Sequence, residues 1–587
     1  MLELSPPTRR VARAVAIASL SGFCFGYDTG SSGSLTTMDS FYAEFGQISE
    51  TLRGAVVAMI LIPSAISGVF AGSISDRLSR KRAISLGAIV FCAGQTMSCA
   101  ASRYIAILII GRIIAGLGEG IFLGTLSVYV SEISPKHLRG IMLVVTQTFI
   151  CLGVTSGFFV CYASGRILHP ASLAWRLPIA VGAFVSLCVA IAAPFLPYSP
   201  RWLLLHGRRQ EAEEVLDQLV GNGPEAQQER RELLASGPAA QQEKGAERSM
   251  RTAFMRMWQK DTRWRTILGA LINATQMLSG IDFVLFYAGL LFAQAGLDPD
   301  TASFLASGVT GVLLILSTFV TATFIHQVGR RPIFLWGGVG IAATLFVLGS
   351  MYASGAAHTP VGKWVTIVFI ELFAFVFGTT WASVTRLYSS EIQPSRTRAA
   401  AASFSQATNQ LVNYAVALSG PVFLEKSSYG PYFFYAAFTA AGTLFAFFFM
   451  VETKGKSLEY IGEMFDSTRI PLAVPLPAFF SSSSSPLSSA RTAITGKVTE
   501  HRQRRASRAN SHSLGVDGTG EGGVRLRRKS RHNSSVLAEV EAGGIAAEEG
   551  FEDHKEESMA REDPRAAFRR EMLAVATLGK HDNAIDE

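Results

Sequence analysis

What most limits the fold of this chain is the recurrence of apolar stretches about as long as a bilayer is thick. A hydrocarbon core of about 30 Å takes roughly 20 apolar residues to cross as a helix. Such stretches lie at 11–34, 52–73, 83–101, 105–130, 140–163, 175–196, 265–293, 302–325, 332–353, 364–389, 399–423 and 431–451. Twelve spans exclude a water-soluble fold and predict an all-α membrane protein. Composition agrees: 17% of the 587 residues are charged, against about 25% in soluble domains.

The net charge of +8 invites a nucleic-acid partner, but the basic residues sit in alternate loops. With the N-terminus in the cytoplasm, Arg77, Arg80, Lys81, Arg82, Lys136, Arg139, Arg330, Arg331, Arg396 and Arg398 fall in short inner loops. The outer loops hold little beyond Arg53, Arg103, Arg166, Lys363 and Lys426. That asymmetry is the positive-inside rule; it places both termini in the cytoplasm and makes the lipid bilayer, not nucleic acid, the large partner. Residues 1–13 are basic and run straight into the first apolar stretch, which reads as a signal anchor. Cys24, Cys92, Cys99, Cys151, Cys161 and Cys188 all fall inside spans without a CxxC pair, as small apolar packing residues would. No metal site or cofactor is implied.

Two long segments are polar. In 197–264, Ala212, Val215, Leu216 and Leu219 recur at helical spacing, predicting short amphipathic helices on the cytoplasmic surface. From about residue 466 the chain is Pro- and Ser-rich and then charged, a composition too poor in apolar residues to fold alone. Arg504-Arg505-Ala506-Ser507 and Arg527-Arg528-Lys529-Ser530 fit sites for a basophilic protein kinase. The expected organisation is a first six-helix bundle (1–196), a cytoplasmic loop (197–264), a second six-helix bundle (265–452) and a cytoplasmic tail (453–587).

The two sets of spans repeat. Tyr129-Val-Ser-Glu-Ile-Ser-Pro-Lys-His-Leu-Arg139 matches Tyr388-Ser-Ser-Glu-Ile-Gln-Pro-Ser-Arg-Thr-Arg398 at six of eleven positions. Arg80-Lys81-Arg82 after the second span corresponds to Arg330-Arg331 after the eighth. Paired repeats with a site at their interface are a transporter architecture.

Eight motifs in order carry a specific likeness: Phe25-Gly26-Tyr27-Asp28-Thr29-Gly30, Gly72-x-x-x-Asp76-Arg77, Gly111-Arg112-x-x-x-Gly116, Ser131-Glu132-Ile133, Pro197-x-Ser199-Pro200-Arg201-Trp202-Leu203, Gln276-x-x-Ser279-Gly280-Ile281, Gly329-Arg330-Arg331 and Glu452-Thr453-Lys454-Gly455-Lys456-Ser457-Leu458-Glu459. Over residues 20 to 460 the chain resembles the sugar porter branch of the major facilitator superfamily, in a fungal-type form. The resemblance implies a plasma-membrane carrier, not an enzyme; the polar segments offer no nucleophile, metal cluster or phosphate loop.

Asp28 lies fifteen residues beyond Arg13, about 22 Å up the first helix at 1.5 Å per residue. Arg112 enters from the other side to a similar depth, and an isolated charge there costs at least ~2.5 kcal/mol, so the two are expected to pair. In proton-coupled members of the resembled family the matching positions are Asp and Arg. For the sugar, neutral amides and aromatic faces are needed. Gln147, Gln276, Asp282, Asn409, Gln410 and Asn413 are polar residues of the relevant spans, with Tyr287 nearby; the resemblance places Gln147, Gln276, Asn409 and Asn413 at sugar-contacting positions. The chain departs from the pattern at Met277, at Asp282 where Asn is usual, at Ala382-Ser383 where Gly-Pro is usual, and at Arg386 where a Trp faces the sugar. Asp282 and Arg386 could pair with each other or read an unusual, acidic substrate, and Arg386 could equally snorkel to the cytoplasmic side, since its span ends near Ser389.

Asp76, Arg80, Glu132 and Arg139, with Arg330, Glu391 and Arg398, form an expected conformational latch of interfacial charges that holds while the cytoplasmic ends are together. The functional expectation is a monosaccharide to proton symporter working by alternating access. A facilitative carrier and a transporter-like sugar sensor acting through the tail are the alternatives.

Overall fold

The computed structural model describes residues 6–454 and Phe465, apart from 136–137, 169–171, 221–226, 228–229, 232–233, 235–249, 261, 298, 325–326 and 395–396. The two kinase motifs and the rest of the expected tail lie outside the described residues.

The described chain is helical. In order come α1 (Pro6–Leu35), α2 (Asp39–Phe45), α3 (Glu50–Ala58), α4 (Leu61–Leu78), α5 (Arg80–Cys99), α6 (Ile105–Ile133), α7 (Arg139–Ile167), α8 (Leu173–Ala192), α9 (Pro200–Leu205) and α10 (Arg209–Val220). Then follow α11 (Met250–Met257), α12 (Arg263–Met277), α13 (Ile281–Gln294), α14 (Pro299–Phe324), α15 (Arg330–Ala353), α16 (Pro360–Thr379), α17 (Trp381–Glu391), α18 (Arg398–Lys426) and α19 (Gly430–Phe449). Eight segments of the described residues are long and apolar enough to cross a bilayer. With α1, α5, α14 and α18 they make the expected twelve, in two sets of six. Ile66, Phe184, Trp336 and Phe346 stand exposed on the outside of the bundle, where lipid rather than water is their solvent.

Local chemistry explains several boundaries. Ser49, Ser199 and Thr359 cap α3, α9 and α16, each hydroxyl accepting a backbone N–H three residues on, and proline follows directly after Ser199 and Thr359. Three spans are broken in mid-membrane. The break between α12 and α13 follows from Gly280, which takes φ +80 and whose Cβ, if it had one, would lie 2.6 Å from the Tyr435 ring. The break between α16 and α17 falls at Thr380, two residues after Gly378; there the hydroxyl turns back to the Val376 carbonyl at 2.6 Å, a bond that competes with the helical ladder.

Glycine also sets how closely helices approach. A Cβ on Gly26 or Gly30 of α1 would lie 2.0 or 2.2 Å from the carbonyl oxygens of Ile150 and Val154 in α7, and one on Gly153 would meet the Phe23 carbonyl at 2.3 Å. Such small-residue faces replace hydrophobic association, which lipid does not supply. The amphipathic spacing expected in 197–264 is realised in α10, where Ala212, Leu216 and Leu219 are buried.

Candidate functional site

The bundle has two ends, one carrying α2 and the other α10. Asp28 stands seven residues below the α2-end terminus of α1, and Arg112 seven residues into α6 from the same end. They pair: Arg112 Nη2 donates to Asp28 Oδ2 at 3.1 Å and Nη1 to Oδ1 at 3.3 Å. Gln95 donates to Oδ1 at 2.8 Å and Ser32 to Oδ2 at 3.2 Å, so the carboxylate is saturated. Arg112 reaches also to the Val57 carbonyl at 3.1 Å, where α3 gives way toward α4. Both charges are buried. They face a small cavity with Tyr27, Ser31, Gln95 and Pro178. Gln95, absent from the sequence expectations, is an amide inside a span, the kind of residue that hydropathy alone leaves unassigned.

A second cavity, larger than the first, lies between the two sets of helices. Phe25 and Thr29 of α1, Gln147 of α7, Gln276 of α12, Asp282 of α13, Arg386 of α17 and Asn409 and Gln410 of α18 line it. The structure therefore gathers Gln147, Gln276, Asp282, Arg386 and Asn409, with Gln410 beside them. Asn413 and Tyr287 do not line it: Asn413 is buried beside Asp282, and Tyr287 donates to the Ala417 carbonyl at 2.7 Å. Tyr287 lies five residues past Asp282, and at 100° per residue that carries it 140° round the helix.

The amides differ in what they already hold. Gln276 donates to the Trp381 carbonyl at the α16–α17 break (3.2 Å) and accepts from Asn409 Nδ2 (3.2 Å). Among the described residues Gln147 bonds only the Cys151 sulfur, at 3.8 Å, so most of its bonding capacity faces the cavity. Arg386 makes no side-chain hydrogen bond or ion pair among the described residues, and its Nε is buried without a partner.

Between the two cavities sits a carboxyl that sequence reasoning passed over. Glu119, two turns below Arg112 on α6, is 1% exposed. It accepts from Ser64 of α4 at 3.0 Å and from Gln410 of α18 at 3.2 Å. It thus ties the first set of helices to the second, through a residue that lines the central cavity. The signal was available as a lone Glu in Gly-Leu-Gly-Glu-Gly within an otherwise apolar span.

The latch residues form pairs inside each half. Arg80 donates to Glu132 from Nε (3.0 Å) and Nη2 (3.2 Å), and pairs with Asp76. Ser199 donates to Glu132, and Trp202 Nε1 to the Asp76 carbonyl at 3.0 Å, which gives the Pro197–Leu203 motif a structural purpose. In the second half Arg330 donates to Glu391 at 3.1 Å, and Thr453 donates to the other Glu391 oxygen at 2.6 Å. Glu452 accepts the Arg330 and Arg331 backbone N–H groups at 2.9 and 3.1 Å, capping α15. Asp76, Arg80 and Glu132 thus meet in one cluster and Arg330 and Glu391 in another; the side chains of Arg139 and Arg398 lie outside the described residues.

At the α2 end the two halves close tightly on each other. A Cβ on Gly33 of α1 would lie 1.6 Å from the Phe286 carbonyl oxygen of α13, and one on Gly54 of α3 2.5 Å from that of Leu418 in α18.

Comparison with known proteins agrees with this architecture. Residues 14–465 match the family model described as "Sugar (and other) transporter". A sugar transport protein of Oryza sativa, MST7, is 30% identical over 76% of this chain and 89% of its own length. A high-affinity glucose transporter of Kluyveromyces lactis is 29% identical, over 76% of this chain and 84% of its own. Among solved structures, the proton:xylose symporter XylE bound to 6-bromo-6-deoxy-D-glucose superposes with a TM-score of 0.66 at 26% identity, covering 77% of this chain and 99% of XylE. An inward-open form of XylE from E. coli gives a TM-score of 0.63 at 26% identity, with the same coverage.

Proposed function

The chain belongs to the sugar (and other) transporter family of the major facilitator superfamily, and from that premise we propose that it is a sugar to proton symporter for monosaccharides. The observation that carries the proton is the buried Asp28–Arg112 pair. It stands on the face of α1 next to the one that lines the central cavity, about 60° round the helix: Phe25 and Thr29 line that cavity while Asp28 and Ser32 face Arg112 and Gln95. Protonation of Asp28 removes one charge of the pair and loosens α1 from α6. Any movement of α1 in turn reshapes the cavity through Thr29 and Phe25, and in this way proton and sugar act on one helix.

The sugar is held by Gln147, Gln276 and Asn409, whose amides both donate and accept, as a polyol requires. The α10 end is cytoplasmic, since Arg77, Arg80, Arg82 and Arg330 gather there, and the membrane is the plasma membrane. The tail is cytoplasmic too and is the substrate of a basophilic kinase. With the α2 end outside, the conformation described is closed to the exterior; alternating access requires Gly33 and Gly54 to separate from Phe286 and Leu418, and the charge clusters at the α10 end to approach one another.

The test is uptake of labelled glucose, xylose and related monosaccharides into cells lacking their own carriers, with and without a protonophore. Saturable accumulation that the protonophore abolishes supports the reading. Uptake that equilibrates and ignores the protonophore makes the protein a facilitator.

A further inference from the structure

We propose that the central cavity accepts an anionic monosaccharide, a hexuronate, with its carboxylate on Arg386. The inference rests on the transport reading above and specifies its substrate. Arg386 belongs to α17, just past the Thr380 break, and lines the central cavity together with the amides of Gln147, Gln276 and Asn409. A guanidinium carries five N–H donors, no acceptor and a permanent charge. Among the described residues none of those donors has a hydrogen-bond partner, and the Nε is buried. The other charge in the cavity, Asp282, is near enough to act on the guanidinium electrostatically but stands beyond 4.0 Å from it. A charge left in this state in mid-membrane is costly and belongs to a function rather than to packing.

What the empty guanidinium lacks is a planar, doubly accepting anion. A carboxylate supplies it through two parallel N–H···O bonds, roughly twice as strong as neutral ones, whereas a sugar hydroxyl supplies one weak acceptor. A phosphate would meet the same donors but brings more charge than one arginine offsets, with Asp282 opposing it. In a hexuronate the carboxylate occupies one end of the ring. The remaining hydroxyls then reach the amides and donate to Asp282, which can only accept when ionised. Asp282 thereby holds the hydroxyl end and discourages the carboxylate from binding in reverse.

The experiment uses the full chain in carrier-deficient cells, with labelled D-glucuronate and D-galacturonate beside D-glucose and D-xylose, all at a pH where the uronates are ionised. Rates are normalised to protein at the cell surface. The expected result is saturable uronate uptake, with a half-saturation concentration that rises at least tenfold, 1.4 kcal/mol, in Arg386→Gln, and by a larger factor than for any neutral sugar carried. Arg386→Lys, which keeps the charge and loses the fork, falls between. Asp282→Asn lowers discrimination between the uronates. If neutral sugars are carried and the uronates neither enter nor compete, the anion site is refuted and the transport reading stands. If uronates are carried equally well by wild type and Arg386→Gln, Arg386 is not the site. Uptake of none of the four overturns both readings.

Discussion

Replacing Asp28 by Asn separates the two tasks that the buried pair performs. In the structure Arg112 spends two of its donors on Asp28, at 3.1 and 3.3 Å, and one contact on the Val57 carbonyl. An amide can accept only on its oxygen, and its NH₂ then confronts either the guanidinium or the Gln95 amide, which already donates to this position at 2.8 Å. One buried charge is left uncompensated, which costs about 3–5 kcal/mol, a factor of roughly 150 to 5,000 in the folded equilibrium at 0.59 kcal/mol per RT. Removing both charges, in Asp28→Asn with Arg112→Gln, recovers most of that loss, because no lone charge remains. Neither variant carries a proton at position 28, so both lose uphill accumulation, while sugar exchange survives in any that fold. The assays are the half-denaturation temperature of the detergent-solubilised protein, and uptake against a gradient with and without a protonophore. Normal protonophore-sensitive accumulation by Asp28→Asn refutes the coupling argument. A double variant no more stable than the single one refutes the electrostatic argument.

Gly33→Ala is expected to stop transport, because its Cβ would sit 1.6 Å from the Phe286 carbonyl oxygen and the α2 end could not close; labelling of a cysteine placed in the cavity by an impermeant thiol reagent should rise in the variant. Gln147→Ala should raise the half-saturation concentration about tenfold without loss of stability, since a buried ligand hydroxyl without its partner costs about 1–3 kcal/mol. Gln276→Ala should do the same and also lower the denaturation temperature, because the bond that ties α12 to the Trp381 carbonyl is lost. Glu119→Ala should destabilise by about 1–3 kcal/mol, because Ser64 and Gln410 lose the acceptor they share and keep only the bond between them, and Glu119→Gln by clearly less, as read from detergent melting curves.

The spans were legible because hydropathy reports where lipid must be, and the structure places helices over all twelve. The Gly280 break was legible too, since only glycine takes its left-handed backbone without strain. The Thr380 break was not: Ala382 and Ser383 stand where the family has Gly-Pro, and a threonine that bends a helix through its own hydroxyl leaves no mark in the apolar pattern. The pairing of Asp28 with Arg112 could be read from matched depth along two antiparallel helices. Glu119 could not, because its partner Gln410 is 291 residues away and the contact exists only once the halves have docked. Tyr287 follows Asp282 by five residues yet does not line the central cavity, because 140° of helical rotation separates the two.

Glu452 gives the far end of the sequence an unequal value. Its carboxylate neutralises the exposed N–H groups of α15, and its neighbour Thr453 completes the coordination of Glu391. These residues come at the last turn before the chain leaves the membrane region, so they act as a mooring for everything that follows. Beyond Lys454 the chain still reaches back, since Phe465 is buried in the core with its ring centre 5.0 Å from the Arg265 guanidinium. A frameshift or stop codon before Glu452 removes that contact as well, and leaves one long helix with its positive pole bare and one arginine–glutamate pair without its third member. Of the motifs that mark the chain, Glu452-Thr453 is the one whose loss would be felt in folding before it was felt in transport.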